Sequence, residues 1–170
     1  LNMKDVEGEV ALIGEIYKEC WSENWGFVPM TQDEMKEMAR NISRIADPDL
    51  VFFLYYKDDP AAVGLVVPDI NPLLKRLNGK LGLLGYLKIA LYKREIKGLR
   101  AMLFGVRKNY QKLGLPLVAF DYMNRTGRQK NYQYLELGWN LEDNDSINQF
   151  DREVGGKVLK RYRIYRKNLR

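Results

Sequence analysis

LRAMLFGVRKNYQKLGLPLVAFDYMNRTG, residues 99–127, is the stretch whose reading decides the architecture. Leu99 to Val106 is an apolar run of strand length. Arg107 to Gly114 is a short loop that carries Arg107, Lys108 and Lys112 and no acid. From Leu115 the apolar residues Leu117, Val118, Phe120 and Tyr122 recur at helical spacing, and Gly127 stands where a helix is expected to end. A strand that passes through a glycine-containing basic turn into a helix aims two things at one point. These are unpaired first-turn N–H groups and the positive end of the helix dipole, the backbone means of binding phosphate.

Upstream, Val6, Val10, Ile13, Ile16, Tyr17 and Cys20 make an amphipathic helix over residues 4–20. An aromatic loop, Trp21 to Met30, leads to a capping box at Thr31 and Glu34 and to a second helix striped by Met35, Met38, Ala39, Ile42 and Ile45. Asp47-Pro48 ends that helix, and Val51 to Tyr56 and Ala62 to Val67 read as a hairpin. Residues 71–97 read as an insertion with one helical turn at Leu73 to Leu77 and an apolar helix at Leu81 to Glu95. Downstream, Tyr134 to Asn140 is a strand, Asn144 caps a helix through Val154, Gly155-Gly156 stops it, and Lys157 to Lys167 alternates as a final strand. Leu103, Leu117, Val118, Leu135 and Leu137 are expected to be buried.

Composition excludes several chemistries. The 170 residues support one sizeable core, and 46% hydrophobic with 29% charged residues is ordinary globular composition. Cys20 is the only cysteine and there is no histidine. An internal disulfide, a Ser-His-Asp triad, a histidine general base and a cysteine- or histidine-built metal site are therefore unavailable to this sequence. No metal is expected. The longest apolar stretch, Leu81 to Tyr92, is interrupted by Lys88 and too short to span a bilayer, and no signal-peptide pattern opens the sequence. A cytoplasmic protein with no membrane partner is the expectation. Charge is divided, with a net −7 over residues 1–59 and +13 over residues 60–170. The basic segments 75–112 and 157–170 fit either a solvated face or a polyanion partner.

Gln111-Lys112-Leu113-Gly114-Leu115-Pro116 resembles the Gln/Arg-x-x-Gly-x-Gly/Ala signature of the GNAT acyltransferases, with Pro116 departing from the small final residue. Ser22 to Thr31, and Leu141 to Asn144 followed by Gly155-Gly156 and Tyr162 to Tyr165, resemble a bacterial group of GNAT-like proteins. In that group such a domain sits at the C-terminal end of a longer chain. The resemblance implies an α/β GNAT fold, a mixed central sheet flanked by helices, whose fourth and fifth strands splay to admit the cofactor arm. The family's first strand lies upstream of Leu1 or is missing, so a single domain belonging to a longer chain is expected.

The same resemblance implies an N-acetyltransferase that uses acetyl-CoA as cosubstrate and an amine acceptor, small molecule or peptide, attacking directly in a ternary complex. Phe104, Gly105 and Val106 would meet the pantetheine arm. Gln111, Lys112, Leu113, Gly114 and Leu115 would cradle the pyrophosphate, and Asn144 would contact the arm or serve only as an N-cap. Glu23, Trp25 and Phe27 in the aromatic loop are candidates for the acceptor pocket, or core plugs. Glu142, just past the splayed strand, is the first candidate to take the amine's proton, and Asp69, closing the hairpin, is the other. The family's tyrosine acid is replaced by Asp151. No covalent intermediate is expected, because Cys20 is read as distant from the loop. Two alternatives stand: a CoA-binding or structural domain that has lost turnover, and a basic nucleic-acid-binding module. Residues 71–95, with Leu83, Leu84 and Leu87, are expected to cover the acceptor cleft or meet another domain or subunit.

Overall fold

The computed structural model describes residues 5–24, 26–43, 47–77 and 91–168. They fall into two compact units, Leu1–Gly138 and Trp139–Arg170. The first unit begins with helix α1 (Val6–Trp21), whose N-terminus is closed by Asp5 accepting from the Gly8 N–H at 3.0 Å. Helix α2 (Gln32–Ser43) starts on the expected capping box. Glu34 Oε2 accepts from the Thr31 N–H at 2.8 Å, and Thr31 Oγ1 accepts from the Glu34 N–H at 3.3 Å. The two helices meet at Gly14, where Met35 fills the space a Cβ would need.

Four strands form one sheet in the order β1 (Val51–Tyr56), β2 (Asp59–Pro68), β3 (Gly98–Val106), β4 (Tyr134–Leu137). The first three run antiparallel and β3 pairs with β4 in parallel. Short helix α3 (Asn71–Leu77) follows β2, and helix α4 (Leu115–Gln129) joins β3 to β4. A helix in that crossover is what a parallel pair requires. The sheet buries both faces. Leu50, Phe52, Val66, Leu99 and Ala101 pack with Ala119 and Met123 of α4, while Val51, Leu65 and Val67 pack with Ile13 of α1 and Leu103. Lys130 ties the end of α4 to the start of β1, with Nζ 2.8 Å from both Asp47 and Asp49.

Four expectations need correction. Leu117 and Val118 are exposed, at 60% and 53%, and α4 turns Leu115, Ala119, Met123, Thr126 and Gly127 inward instead. Both stripes are periodic, and the small residues settle the phase, since Gly127 lets Leu99 approach where a Cβ would stand only 3.1 Å away. The strand over 134–140 stops at Leu137. The strand over 157–167 is absent, and those residues are irregular and exposed. Alternation permits a strand, but a ladder partner makes one, and the described residues offer none. Leu103, Leu135 and Leu137 are half-buried. In the insertion, residues 78–90, including Leu83, Leu84 and Leu87, lie outside the described residues.

The second unit is built on helix α5 (Asp145–Glu153). Asn144 caps it, with Oδ1 accepting from the Ile147 N–H at 3.4 Å, and Gly155 at φ 86° ends it.

The burial pattern predicts an unequal response to truncation on α4. Met123→Ala should cost about 2–5 kcal/mol in urea unfolding, and Leu117→Ala no more than about 0.5 kcal/mol. The reverse order would contradict the helix phase.

Candidate functional site

The site begins where a ladder ends. β3 pairs with β4 only from Gly98 opposite Tyr134 to Ala101 opposite Leu137, although β3 continues to Val106. At the next residue, Met102, β3 bulges. Leu103 faces Leu65 and Ala101 faces Val66, so Met102 is the residue without an opposite number on β2. The bulge reverses the side-chain alternation. Leu99 and Ala101 point to α4 before it, and Leu103 packs toward α1 after it.

The backbone follows the same logic. The Arg107 N–H donates to the Ala61 carbonyl at 2.9 Å, which continues the β2 ladder. Alternation then turns the N–H and carbonyl groups of Leu103 and Gly105 toward β2, and those of Phe104 and Val106 toward the side β4 has left. The Val106 carbonyl bears this out by accepting from Gln111 Nε2 at 3.3 Å. Gly105 is present for space rather than for hydrogen bonding. The Trp21 ring and the Cys20 sulfur of α1 press on it, 2.5 and 3.1 Å from where a Cβ would stand.

Beyond Val106 the chain makes a 3-10 turn over Lys108–Leu113 and reaches Gly114 at φ 70°, ψ 13°, left-handed backbone with nothing among the described residues within 4 Å of a would-be Cβ. α4 starts at the next residue. Leu115 is buried and anchors the turn, Gln111, Lys112, Leu113 and Gly114 are exposed, and Pro116 removes one first-turn donor. The Leu117 and Val118 N–H groups both turn to the Gly114 carbonyl, at 3.0 and 3.4 Å. Acids from α1 hold two of the loop's cations. Arg107 lies 2.7 Å from Glu15 and 3.6 Å from Glu19, and Lys108 Nζ lies 2.6 Å from Glu23. Lys112 makes no ion pair among the described residues.

The structure brings Phe104, Val106 and the Gln111–Leu115 turn together, with Glu23 at the loop's flank. Hydrogen bonding to Lys108 lowers the Glu23 carboxyl below its ordinary range. Phe27 is half-buried against Tyr17, ring centroids 5.5 Å apart, and Tyr17 stacks on Trp21 at 5.2 Å. Trp25 lies outside the described residues. Asp69 is elsewhere. Its N–H donates to the Gly98 carbonyl, so the length of β3, roughly 25–30 Å, separates it from the turn. Asp69 is buried, and its carboxylate accepts from Asn71 Nδ2 at 2.7 Å and Tyr134 Oη at 2.9 Å, a brace rather than a reactive group.

In the second unit, Arg163 grips Glu142 with two hydrogen bonds of 2.7 and 3.2 Å and Arg161 lies at 3.5 Å, which holds that carboxyl below its ordinary range. Burial raises the Asp151 carboxyl, against an Asn140 amide 2.6 Å away. Cys20 requires a correction, because it lies beside Gly105 rather than far from the loop. What withholds it from nucleophilic chemistry is its proton, since burial first and Glu19 second push the thiol up to about 11. The sequence carried no signal for the bulge at Met102 or for the Glu15 and Glu19 grip on Arg107.

No family model matches the chain. A bacterial ceramide synthase of Caulobacter vibrioides is 31% identical over 176 aligned residues, taking in 99% of this chain and 46% of that one. Protein YghO of Escherichia coli is 29% identical, over 99% of this chain and 45% of that one. This chain thus spans just under half the length of both relatives. Among solved structures, AAC(6')-Iy in complex with the bisubstrate analogue CoA-S-monomethyl-acetylneamine superposes with a TM-score of 0.62 at 12% identity, over 99% of this chain and 95% of that one. The aminoglycoside 6'-N-acetyltransferase AAC(6')-IG of Acinetobacter haemolyticus gives 0.59 at 13%, over 95% of each chain. These likenesses show the fold, a mixed sheet flanked by helices in the GNAT acetyltransferase arrangement.

The Cys20 environment predicts slow alkylation. At pH 8 about a hundredfold less thiolate should be present than on an unburied cysteine, read as the iodoacetamide rate with and without urea. The folded thiol keeps a proton that the unfolded chain releases earlier. Its contribution to stability is therefore intact at neutral pH and is lost as pH rises from the ordinary thiol range toward about 11. A native-state rate matching the urea-unfolded rate would contradict this.

Proposed function

We propose that this domain binds a CoA thioester in the gap where β3 and β4 part and transfers its acyl group to an amine. One observation carries the reading. The backbone N–H and carbonyl groups of Phe104 and the N–H of Val106 face a side of β3 that has no ladder partner among the described residues, immediately before a left-handed glycine turn at the N-terminus of a 15-residue helix. An extended amide-bearing arm can complete that edge as a strand would, and the turn at Gln111–Leu115 receives the pyrophosphate through main-chain N–H groups and the helix dipole. Pro116 confines those donors to the residues before it.

The thioester supplies an activated acyl carbon. The amine attacks it directly, the carbon–sulfur bond breaks, and CoA leaves as the thiol. Cys20 does not intervene, since its thiol is held protonated. The acceptor's ammonium must first lose a proton. Arg163 and Arg161 make Glu142 a weak base and Lys108 does the same to Glu23, so the proton passes to solvent. Glu23, at the edge of the loop, is the carboxylate we assign to attracting the ammonium group by its charge. The structural neighbours' names specify acetyl transfer to amines. The ceramide synthase relative's name specifies an N-acylated long-chain amino alcohol, so amide formation is shared and the acceptor and the acyl group are what divide the two. Pro116 and Asp151 favour a second reading, a domain that binds CoA without turnover.

Calorimetric titration with CoA tests the binding. The parent should bind, and Gly114→Val should weaken binding about tenfold or more, because φ 70° strains any β-branched side chain by about 1–3 kcal/mol. Acetyl-CoA and palmitoyl-CoA assayed against small amines and sphinganine, with free thiol as the readout, then separate transfer from binding alone. A parent that does not bind CoA overturns the proposal.

A further inference from the structure

In the second unit, residues 157–168 have neither helix nor strand, and their apolar side chains are bare. Val158 is 73% exposed, Leu159 80%, Ile164 81% and Tyr165 89%. Tyr162 lies against Trp139, ring centroids 6.0 Å apart, and both rings remain mostly exposed. Interleaved with them are six cations, Lys157, Lys160, Arg161, Arg163, Arg166 and Lys167, and no acid. Glu142 takes Arg161 and Arg163. Lys157, Arg166 and Lys167 make no ion pair among the described residues. The segment therefore combines exposed aliphatic and aromatic surface, which water disfavours, with uncompensated positive charge.

We propose that residues 157–168, with Trp139, seat this protein on the surface of a membrane that contains anionic lipid. The cations meet lipid phosphates, and Val158, Leu159, Ile164 and the aromatic rings enter the boundary between headgroups and acyl chains. The composition selects this partner over others. A nucleic acid satisfies the cations and the rings but offers nothing to three exposed aliphatic side chains. A second copy meeting the same segment across a two-fold axis sets like charge against like charge. A backbone without its own hydrogen bonds tolerates the wet interface but not the hydrocarbon, so the contact is peripheral. Among the described residues no helix is long and apolar enough to cross a membrane. The expectation of no membrane partner came from the lack of a spanning stretch, which a surface contact does not need. The inference rests on this segment alone and stands or falls apart from acyl transfer.

Flotation of the 170-residue chain with phosphatidylcholine vesicles, pure or about one-third phosphatidylglycerol, tests it. The parent should float with the anionic vesicles and about tenfold less with the neutral ones, and raised salt should release it. The triple variant Lys157→Ser, Arg166→Ser, Lys167→Ser and the triple variant Val158→Ser, Leu159→Ser, Ile164→Ser should each bind about tenfold more weakly. Their melting temperatures should match the parent's, because all six side chains are exposed. Quenching by bromolipid, read as the difference between parent and Trp139→Phe, should place that ring in the membrane boundary. Equal binding to neutral and anionic vesicles overturns the proposal. So does full affinity in the aliphatic variant, which reduces the contact to charge adsorption, or tighter binding to an oligonucleotide than to anionic vesicles.

Discussion

The parallel pairing of β3 with β4 lasts four residues, and the features around the site depend on where it stops. A backbone edge that loses its partner inside a protein must find another, since unpaired N–H and carbonyl groups are costly to bury. Here the loss is staged. The bulge at Met102 turns the strand as its partner departs, Val106 gives its carbonyl to the Gln111 amide, and the next residue rejoins β2 through Ala61. What remains open is short and flanked by firm structure. Trp21 and Cys20 pack on Gly105 from the α1 side, and Leu115 buries the start of α4 on the other. A substituent at Gly105 would lift α1 from the strand end, which ties the first helix of the chain to the edge that the proposed ligand would complete.

Electrostatics around the loop are balanced rather than simply basic. Glu15, Glu19 and Glu23 lie one turn apart along and just beyond α1 and hold Arg107 and Lys108. The exposed Lys108–Glu23 pair contributes little to stability, so its stronger effect is on where the cation sits. The attraction left for an anion comes from the helix terminus and from Lys112. That arrangement explains why the strongly basic composition of residues 60–170 is a poor guide to the site.

Local signals in the sequence were legible. The capping box at Thr31 and Glu34, the Asn144 cap, the strand through Val106 and the glycine turn each depend on residues near one another in the chain, and each is present. Contacts between distant segments were not. α4 carries two apolar stripes, and packing on the sheet, of Gly127 on Leu99 and of Ala119 and Met123 in the core, selects between them. Alternation in residues 157–167 suggested a strand, but pairing needs a partner that no local pattern supplies. The bulge at Met102 depends on register against β2, and the nearness of Cys20 to the strand end depends on how α1 crosses the sheet. Asp69 and Glu142 illustrate the same limit. Their chemistry suits a base, yet Tyr134 and Asn71 occupy one and two arginines hold the other.

Amide hydrogen exchange, resolved by residue, tests the central claim most directly. In the free protein the Gly105 amide should exchange slowly, being turned to Val63 in the β2 ladder, and the Phe104 and Val106 amides should exchange fast. Saturating CoA should slow Phe104 and Val106 by about tenfold or more and leave Gly105 unchanged. Protection that appears elsewhere in the chain while Phe104 and Val106 keep their free-state rates would contradict the assignment of the gap as the cofactor site.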